Sequence, residues 1–141
     1  MSELKLTILG SGSALPRGDA FHTSQVLEMR NKQFMIDCGE GAQVRMRQNC
    51  VHTARLNHIF ISHLHGDHCF GLIGLISTLG MMGRTQPLHI YAHADLEKLL
   101  RPLLDYHCQD LLYEVEFHAI NPRKKEVIFE DRTLTIETIP L

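Results

Sequence analysis

The chain has 141 residues, of which 44% are hydrophobic and 21% are charged, and its formal net charge at pH 7 is −2. This size and composition are typical of one soluble globular domain and exclude a chain that is disordered throughout, which would combine low hydrophobicity with high net charge. The near-neutral charge also excludes the overall basic surface of many nucleic-acid-binding domains. The longest apolar-rich stretch, 69–82, is too short to cross a membrane.

The pattern of the first residues and the spacing of the cysteines bear on the cellular compartment. The first residues do not form a basic segment leading into a long apolar one, so we expect no secretory signal. The four cysteines form no C-x-x-C pair, and we expect them to be reduced thiols. These features predict a cytoplasmic protein.

The first part of the chain is typical of strands followed by a short helix. Strand patterns cover Leu4–Leu9, Thr23–Met29 and Gln33–Asp37, and the polar turn between the last two predicts a hairpin. After the break at 39–41, a short helix is predicted with one apolar face, formed by Ala42, Met46 and Cys50.

The middle of the chain is predicted to alternate between strands and helices. The run Asn57–Ser62 contains consecutive β-branched and aromatic residues, which indicates a strand buried on both faces. Cys69 to Met82 is apolar nearly all round, as in a buried helix. Leu88–Ala92 predicts the next strand.

Ala94–Gln109 has the clearest helical pattern in the chain. Its apolar face is predicted from spacings of three and four residues: Leu96, Leu99, Leu100, Leu103 and Leu104. Pro102 lies on the opposite face and is expected to kink the helix. The last strands are predicted at Tyr113–His118, Glu126–Phe129 and Thr133–Ile139, the final two as a hairpin. Together these elements predict one mixed α/β domain with helices packed on a sheet.

Four candidate metal ligands lie directly after the strand Asn57–Ser62. They occur in the sequence HLHGDH, as His63, His65, Asp67 and His68. His63 and His65 project to the same side of an extended segment, and Gly66 permits a turn that aims the next two residues at a second ion. Imidazole and carboxylate ligands suit zinc or a similar ion, and two such ions would favour hydrolysis by an activated hydroxide. The pattern leaves open whether the substrate is an ester, an amide, a thioester or a phosphodiester.

The HLHGDH pattern resembles the signature of the metallo-β-lactamase superfamily, and its surroundings resemble ribonuclease Z in particular. The likeness extends over Leu9–Pro16 (LGSGSALP), Phe34–Gln43 (FMIDCGEGAQ) and Ile61–Leu72 (ISHLHGDHCFGL). The resemblance implies the N-terminal half of an αββα sandwich, with a mixed sheet and helices on one face. It implies an endoribonuclease that removes the 3′ trailer from precursor tRNA by metal-hydroxide attack on a phosphodiester, acting as a homodimer with no membrane partner.

The resemblance also assigns roles to individual residues. His63 and His65 would bind a first zinc, and Asp67 and His68 a second, with two zinc ions in a complete site. Asp67 would also be the general base, and Asp37 would orient the ligand loops without binding metal. Three further ligands of the family would lie in a C-terminal half that follows residue 141, so residues 1–141 are expected to bind zinc weakly and not to cleave tRNA. An uncovered sheet face is expected to drive self-association.

Two alternatives to this function stay open at this point. One is another hydrolase of the same superfamily, acting on a lactam, a thioester or a cyclic nucleotide. The other is a non-catalytic fragment that only dimerises. Among other residues, His22 is expected to border the site, Cys69 to be a small buried residue, and His89, His118 and the remaining histidines to be surface or packing residues.

Overall fold

The computed structural model describes residues 3–141. Six strands form one mixed sheet in chain order: β1 Leu4–Gly10, β2 Ser24–Met29, β3 Lys32–Cys38, β4 Leu56–Phe60, β5 Leu88–Ala92 and β6 Val115–Ala119. The first three strands pair antiparallel, and β3 to β6 pair parallel. A separate antiparallel hairpin contains β7 Glu126–Glu130 and β8 Thr135–Thr138.

Four α-helices connect the strands: α1 Ala42–Gln48, α2 Gly66–Cys69, α3 Leu72–Met81 and α4 Asp95–His107, with a short 3₁₀ helix at Thr53–Arg55. Between residues 3 and 141, no helix combines the length and apolar character that a bilayer crossing requires. The predicted mixed α/β class is confirmed, and every predicted strand has an observed counterpart.

The helical predictions were wrong in detail for the end of α1, for the start of α3 and for the buried face of α4. Cys50 lies beyond the end of α1, is exposed and has a φ of 55°, so it does not contribute to an apolar face. The helix predicted for 69–82 begins only at Leu72, as α3, and Cys69 instead ends the preceding α2, because the chain at Gly71 passes close to the segment after β3. A Cβ at Gly71 would lie 2.2 Å from the Gly39 carbonyl oxygen.

The apolar face of α4 is narrower than the leucine spacing predicts. Leu96, Leu100 and Leu104 are buried, whereas Leu99 is 61% exposed and Leu103 is 41% exposed. A helix at the surface of a sheet buries only the stripe that faces the sheet, so the wider set of leucines leaves two in solvent. Pro102 lies within the helix, as predicted.

The two faces of the sheet have different coverings. One face carries the main core, in which residues such as Val26, Met35, Ile59 and Ile90 pack with buried side chains of the helices. The opposite face, which we call the hairpin face, carries the buried rings of Phe34, Phe60 and Tyr91. The β7–β8 hairpin packs against these rings, and its Phe129 ring lies 5.5 Å from that of Phe34.

A continuous row of side chains crosses the hairpin face. Side chains that are directly paired across strands point to the same side, and the registers place in one row Leu6, Leu27, Phe34, His58, His89 and Glu116. The β1 end of this face is apolar and open to solvent, since Leu4, Leu6 and Ile8 are 61%, 52% and 48% exposed. The β5–β6 end is polar.

Arg84 fixes the starts of two central strands. Its guanidinium donates to the Leu56 carbonyl oxygen at 2.9 Å, to Asn57 Oδ1 at 2.8 Å and to the Pro87 carbonyl oxygen at 2.8 Å. These contacts tie the residue before β5 to the start of β4. Because β4 runs directly into the candidate ligands, its position determines theirs.

The exposed apolar end of the hairpin face generates a first prediction. We expect the chain to self-associate at high micromolar concentration in sedimentation-velocity ultracentrifugation, because such patches tend to be buried against a partner. Leu6→Glu should shift the distribution towards monomer. Leu99→Glu, which changes a comparably exposed leucine on α4, should leave it unchanged. A monomeric unmodified chain would contradict the prediction.

The hairpin face also predicts a pH dependence of stability. Burial, and then the neighbouring His89, lower the pKa of His58 to about 4, although Asp131 opposes the shift. The unfolded chain therefore takes up this proton first, at a pKa of about 6.5, and the stability due to neutral His58 is lost as the pH falls from about 6.5 to about 4. In urea unfolding, His58→Gln should weaken this pH dependence, whereas His107→Gln at the exposed end of α4 should preserve it.

Candidate metal centre

The four predicted ligands lie together at the carboxyl end of β4. The chain leaves β4 at Phe60, and His63 and His65 are exposed in the loop that follows. Asp67 and His68 are half-buried in the first turns of α2. Gly66 lies at the turn between His65 and Asp67, where a Cβ would lie 2.2 Å from the exposed Phe70 ring, so a larger residue there would displace that ring.

Asp37, at the end of the neighbouring parallel strand β3, holds this loop in place. Its buried carboxylate accepts hydrogen bonds from the Ser62 backbone N–H at 2.7 Å, from Ser62 Oγ at 2.8 Å and from His68 Nδ1 at 2.7 Å. Asp37 has a φ of 57°, a left-handed conformation that aspartate tolerates better than most residues. With Nδ1 of His68 bound to Asp37, Nε2 is the ring nitrogen left available to a metal.

The distance between the two ligands of the second predicted ion fits a shared metal. His68 Nε2 lies 3.6 Å from Asp67 Oδ2. Two ligand atoms bonded to one tetrahedral zinc at about 2.0–2.1 Å would lie about 3.3 Å apart. The His63 ring is 3.9 Å from the His68 ring and 4.5 Å from the His65 ring, measured between ring centroids. The imidazole rings assigned to the two predicted ions therefore lie side by side.

The protonation states at the motif also suit metal binding. The hydrogen bond from the Ala14 backbone N–H, at 3.1 Å, and then the neighbouring His68 hold the pKa of Asp67 below its ordinary value. Desolvation, and then the neighbouring His68 and His65, lower the pKa of His63. An ionised carboxylate and a neutral imidazole are the forms that bind a cation.

Two buried cysteines near the motif carry protonated thiols, and one of these thiols contacts the loop. Burial, and then the neighbouring Cys69, raise the pKa of Cys38 to about 12. Burial, and then Asp37, raise the pKa of Cys69. Cys69 Sγ donates to the backbone carbonyls of Leu64 at 3.7 Å and His65 at 3.6 Å. These contacts favour a packing role for Cys69.

His22 lies beside the motif, where the sequence predicted it. It is buried, and a Cβ at Gly39 would lie 2.5 Å from His22 Cβ and 2.7 Å from the Asp67 carbonyl oxygen. Gly39 therefore allows the His22 segment and the start of α2 to pack closely. Within residues 3–141, Nε2 of His22 has no hydrogen-bond partner.

The structure also shows a polar cluster that the sequence analysis missed. Among the residues described, His89, Glu116 and His118 form the group whose potential ligand atoms all lie within 4.8 Å of one another. The sequence analysis assigned both histidines to surface or packing roles and did not consider Glu116. The cluster depends on the register of β5 with β6, which no local spacing reveals.

Comparison with solved structures defines the class of protein. The short form of human tRNase Z matches 94% of this chain and 58% of its own, with a TM-score of 0.84 and 26% sequence identity. A metallo-β-lactamase fold protein from Bacillus subtilis, YhfI, matches 87% of this chain and 47% of its own, with a TM-score of 0.65 and 22% identity. The chain has a metallo-β-lactamase type of fold, as the sequence predicted.

The family is defined by a sequence model. The chain belongs to the family described as Anti-Pycsar protein Apyc1, whose model matches residues 4–139. The resemblance to ribonuclease Z is also confirmed, since curated relatives of that name are 48–60% identical over all 141 residues. The relative from Phocaeicola vulgatus is 60% identical, and the chain spans 46% of its length. The chain thus spans about half the length of the curated relatives it matches.

The hydrogen bonds of Asp37 generate a prediction for the site. Asp37→Asn keeps the size of the side chain and tolerates the left-handed backbone, but it removes the charge that the three donors face. Hydrogen bonds to a charged group are worth about 1.5–3 kcal/mol each, so we expect a loss of roughly 2–4 kcal/mol in the free energy of unfolding. Urea denaturation measures this loss.

The matched control is Asp105→Asn on the exposed side of α4, which should change stability by less than about 0.5 kcal/mol. Nitrogen NMR of His68 supplies a second readout, because the substitution should release its ring from the Nδ1–H tautomer. A stable Asp37→Asn chain with the His68 tautomer unchanged would contradict the role assigned to Asp37.

Proposed function

We propose that this chain is the N-terminal half of a zinc-dependent endoribonuclease that removes the 3′ trailer from precursor tRNA. The observation that carries the proposal is the contact of Asp37 with His68, which leaves Nε2 of His68 3.6 Å from the Asp67 carboxylate. The names of the relatives support the choice of substrate, since they are called Ribonuclease Z or tRNase Z. We place the activity in the cytoplasm.

The donor set fits two zinc ions. His63 and His65 would hold the first, and Asp67 and His68 the second. Zinc supplies a Lewis acid that lowers the pKa of water and stabilises negative charge on a phosphoryl group. Zinc sites in proteins generally use three or four protein ligands, so the two that the motif offers each ion should bind weakly within this chain.

Proton transfer and the positioning of the ligands are assigned to residues of this protein. The Asp67 carboxylate is the proposed general base, which accepts the proton of the attacking water. The Ala14 backbone N–H steadies the Asp67 Oδ2 atom at 3.1 Å and favours its ionised form. Asp37 is a positioning residue, because it acts through His68 and through the Ser62 backbone. Its three hydrogen bonds hold the loop in one arrangement.

The site would be completed by three further ligands that the resemblance implies, from a segment that these 141 residues do not supply. The chain spans 46% of the Phocaeicola vulgatus relative, which leaves room for such a segment. We propose that the chain alone does not cleave precursor tRNA. We propose further that the working enzyme is a homodimer.

A second candidate follows from the description of the matching family, which names Anti-Pycsar protein Apyc1 and not a ribonuclease. Another hydrolase of the superfamily, acting for instance on a cyclic nucleotide, would use the same ligands. The 60% identity to a relative named Ribonuclease Z favours precursor tRNA. A direct comparison of substrates decides between the two.

Reconstitution tests the function. The chain is mixed with the remaining part of the Phocaeicola vulgatus relative and with zinc, and end-labelled precursor tRNA, bis-p-nitrophenyl phosphate and a cyclic nucleotide are supplied in parallel. We expect trailer release by the mixture and none by the chain alone. Asp67→Asn should reduce the rate about 10²–10⁴-fold, as expected for loss of a general base.

Asp105→Asn serves as the control and should leave the rate unchanged. Hydrolysis of the cyclic nucleotide without trailer release would support the second candidate instead. Trailer release by the chain alone would overturn the proposal that the site is incomplete. A rate unaffected by Asp67→Asn would overturn the role of that residue.

A further inference from the structure

A compact cluster of three potential ligands lies on the hairpin face, apart from the HLHGDH motif. Its residues lie on the neighbouring parallel strands β5 and β6, where His89 pairs with Glu116 and Tyr91 pairs with His118. His89 Nδ1 lies 2.9 Å from His118 Nε2 and 3.3 Å from Glu116 Oε2. Three donor atoms of the kinds that zinc binds therefore lie within 4.8 Å of one another.

Aromatic contacts hold both imidazoles in place. The His118 ring stacks on Tyr91 with centroids 4.5 Å apart and planes 14° from parallel. The His89 ring stacks on His58 with centroids 5.1 Å apart and planes 16° from parallel. Rings fixed in this way lose little side-chain entropy when they bind an ion, because they are already ordered.

From this geometry we propose that His89, Glu116 and His118 form a second zinc-binding site, distinct from the HLHGDH motif. Ligand atoms on a tetrahedral zinc lie about 3.3 Å apart. The His89–Glu116 pair already has this separation at 3.3 Å, and the His89–His118 pair at 2.9 Å needs to open by only a few tenths of an ångström. Small rotations of the rings provide that movement.

The coordination that results is that of an open site. Three protein ligands leave one position of a tetrahedral ion for water. All three residues are half-buried, so the ion would be partly shielded while remaining reachable from solvent. A bound ion would join β5 to β6 through side chains. It would stabilise the folded chain, since a ligand that binds only the folded state raises the free energy of unfolding.

Cobalt titration in a motif-deficient background tests the site. The full chain carries His63→Gln, His65→Gln and His68→Gln, so that the motif no longer competes for metal. After treatment with a chelator, Co²⁺ is added and its visible absorption is recorded, and Zn²⁺ is then used to displace it. We expect one equivalent of Co²⁺ with the intense bands of a tetrahedral site, together with a rise in the thermal midpoint on adding Zn²⁺.

Two further substitutions locate the bound ion. Glu116→Gln and His118→Gln, each added to the same background, should lower the Co²⁺ affinity at least tenfold and abolish the thermal shift. His107→Gln and His52→Gln, which change exposed histidines elsewhere, should have no effect. Glu116 has a partly exposed side chain on an outer strand of the sheet, so its substitution tests the site even if His118→Gln impairs folding.

Three results would overturn the proposal. The first is a folded background chain, judged by circular dichroism, that binds no Co²⁺. The second is binding that survives Glu116→Gln. The third is octahedral absorption with no thermal shift, which would identify the cluster as a metal-free network of hydrogen bonds between the two imidazoles and the carboxylate.

Discussion

The buried carboxylate of Asp37 is the interaction on which the candidate site depends. It lies at the end of β3 and accepts hydrogen bonds from Ser62, in the loop that follows β4, and from His68 in α2. Parallel pairing of β3 with β4 brings these segments to the same edge of the sheet. Without such an anchor, exposed residues such as His63 and His65 would sample many arrangements. The contact with His68 also selects which ring nitrogen remains available, so one carboxylate controls both the position and the chemistry of a neighbour.

The hairpin face shows how one sheet register serves two purposes. The same cross-strand pairs that continue an apolar row through Leu6 and Phe34 place His58, His89 and Glu116 at its far end. At the apolar end, the β7–β8 hairpin covers only part of the surface, and Leu4 and Leu6 of β1 remain exposed. At the polar end, the imidazoles instead stack on neighbouring rings and lie within hydrogen-bonding distance of one another and of a carboxylate. The hairpin face therefore presents an exposed apolar surface at its β1 end and a cluster of potential metal-binding side chains at its β5–β6 end.

The sequence could predict the features that depend on residues close together in the chain. Strand and helix patterns located the elements, and the four motif residues were recognisable because they all lie within six consecutive positions. The burial of α4 was overestimated because spacing cannot tell how wide a stripe the sheet will cover. The division of α2 from α3 depends on the approach of Gly71 to Gly39, a contact between distant residues. The His89 cluster was missed for the same reason, since strand register sets it.

A site of this kind likewise combines residues that are close together in the sequence with residues that are far apart in it. A loop after one strand can supply a contiguous set of ligands, and a neighbouring strand can orient them. In the proposed site, two ligands for each ion would be too few for tight binding, so further ligands would have to come from outside the HLHGDH motif. The orientation of His68 by Asp37 is set by a hydrogen bond between residues of this chain. In the proposed site, an imidazole of His68 that is already held in position would let further ligands join without rearrangement of that ring.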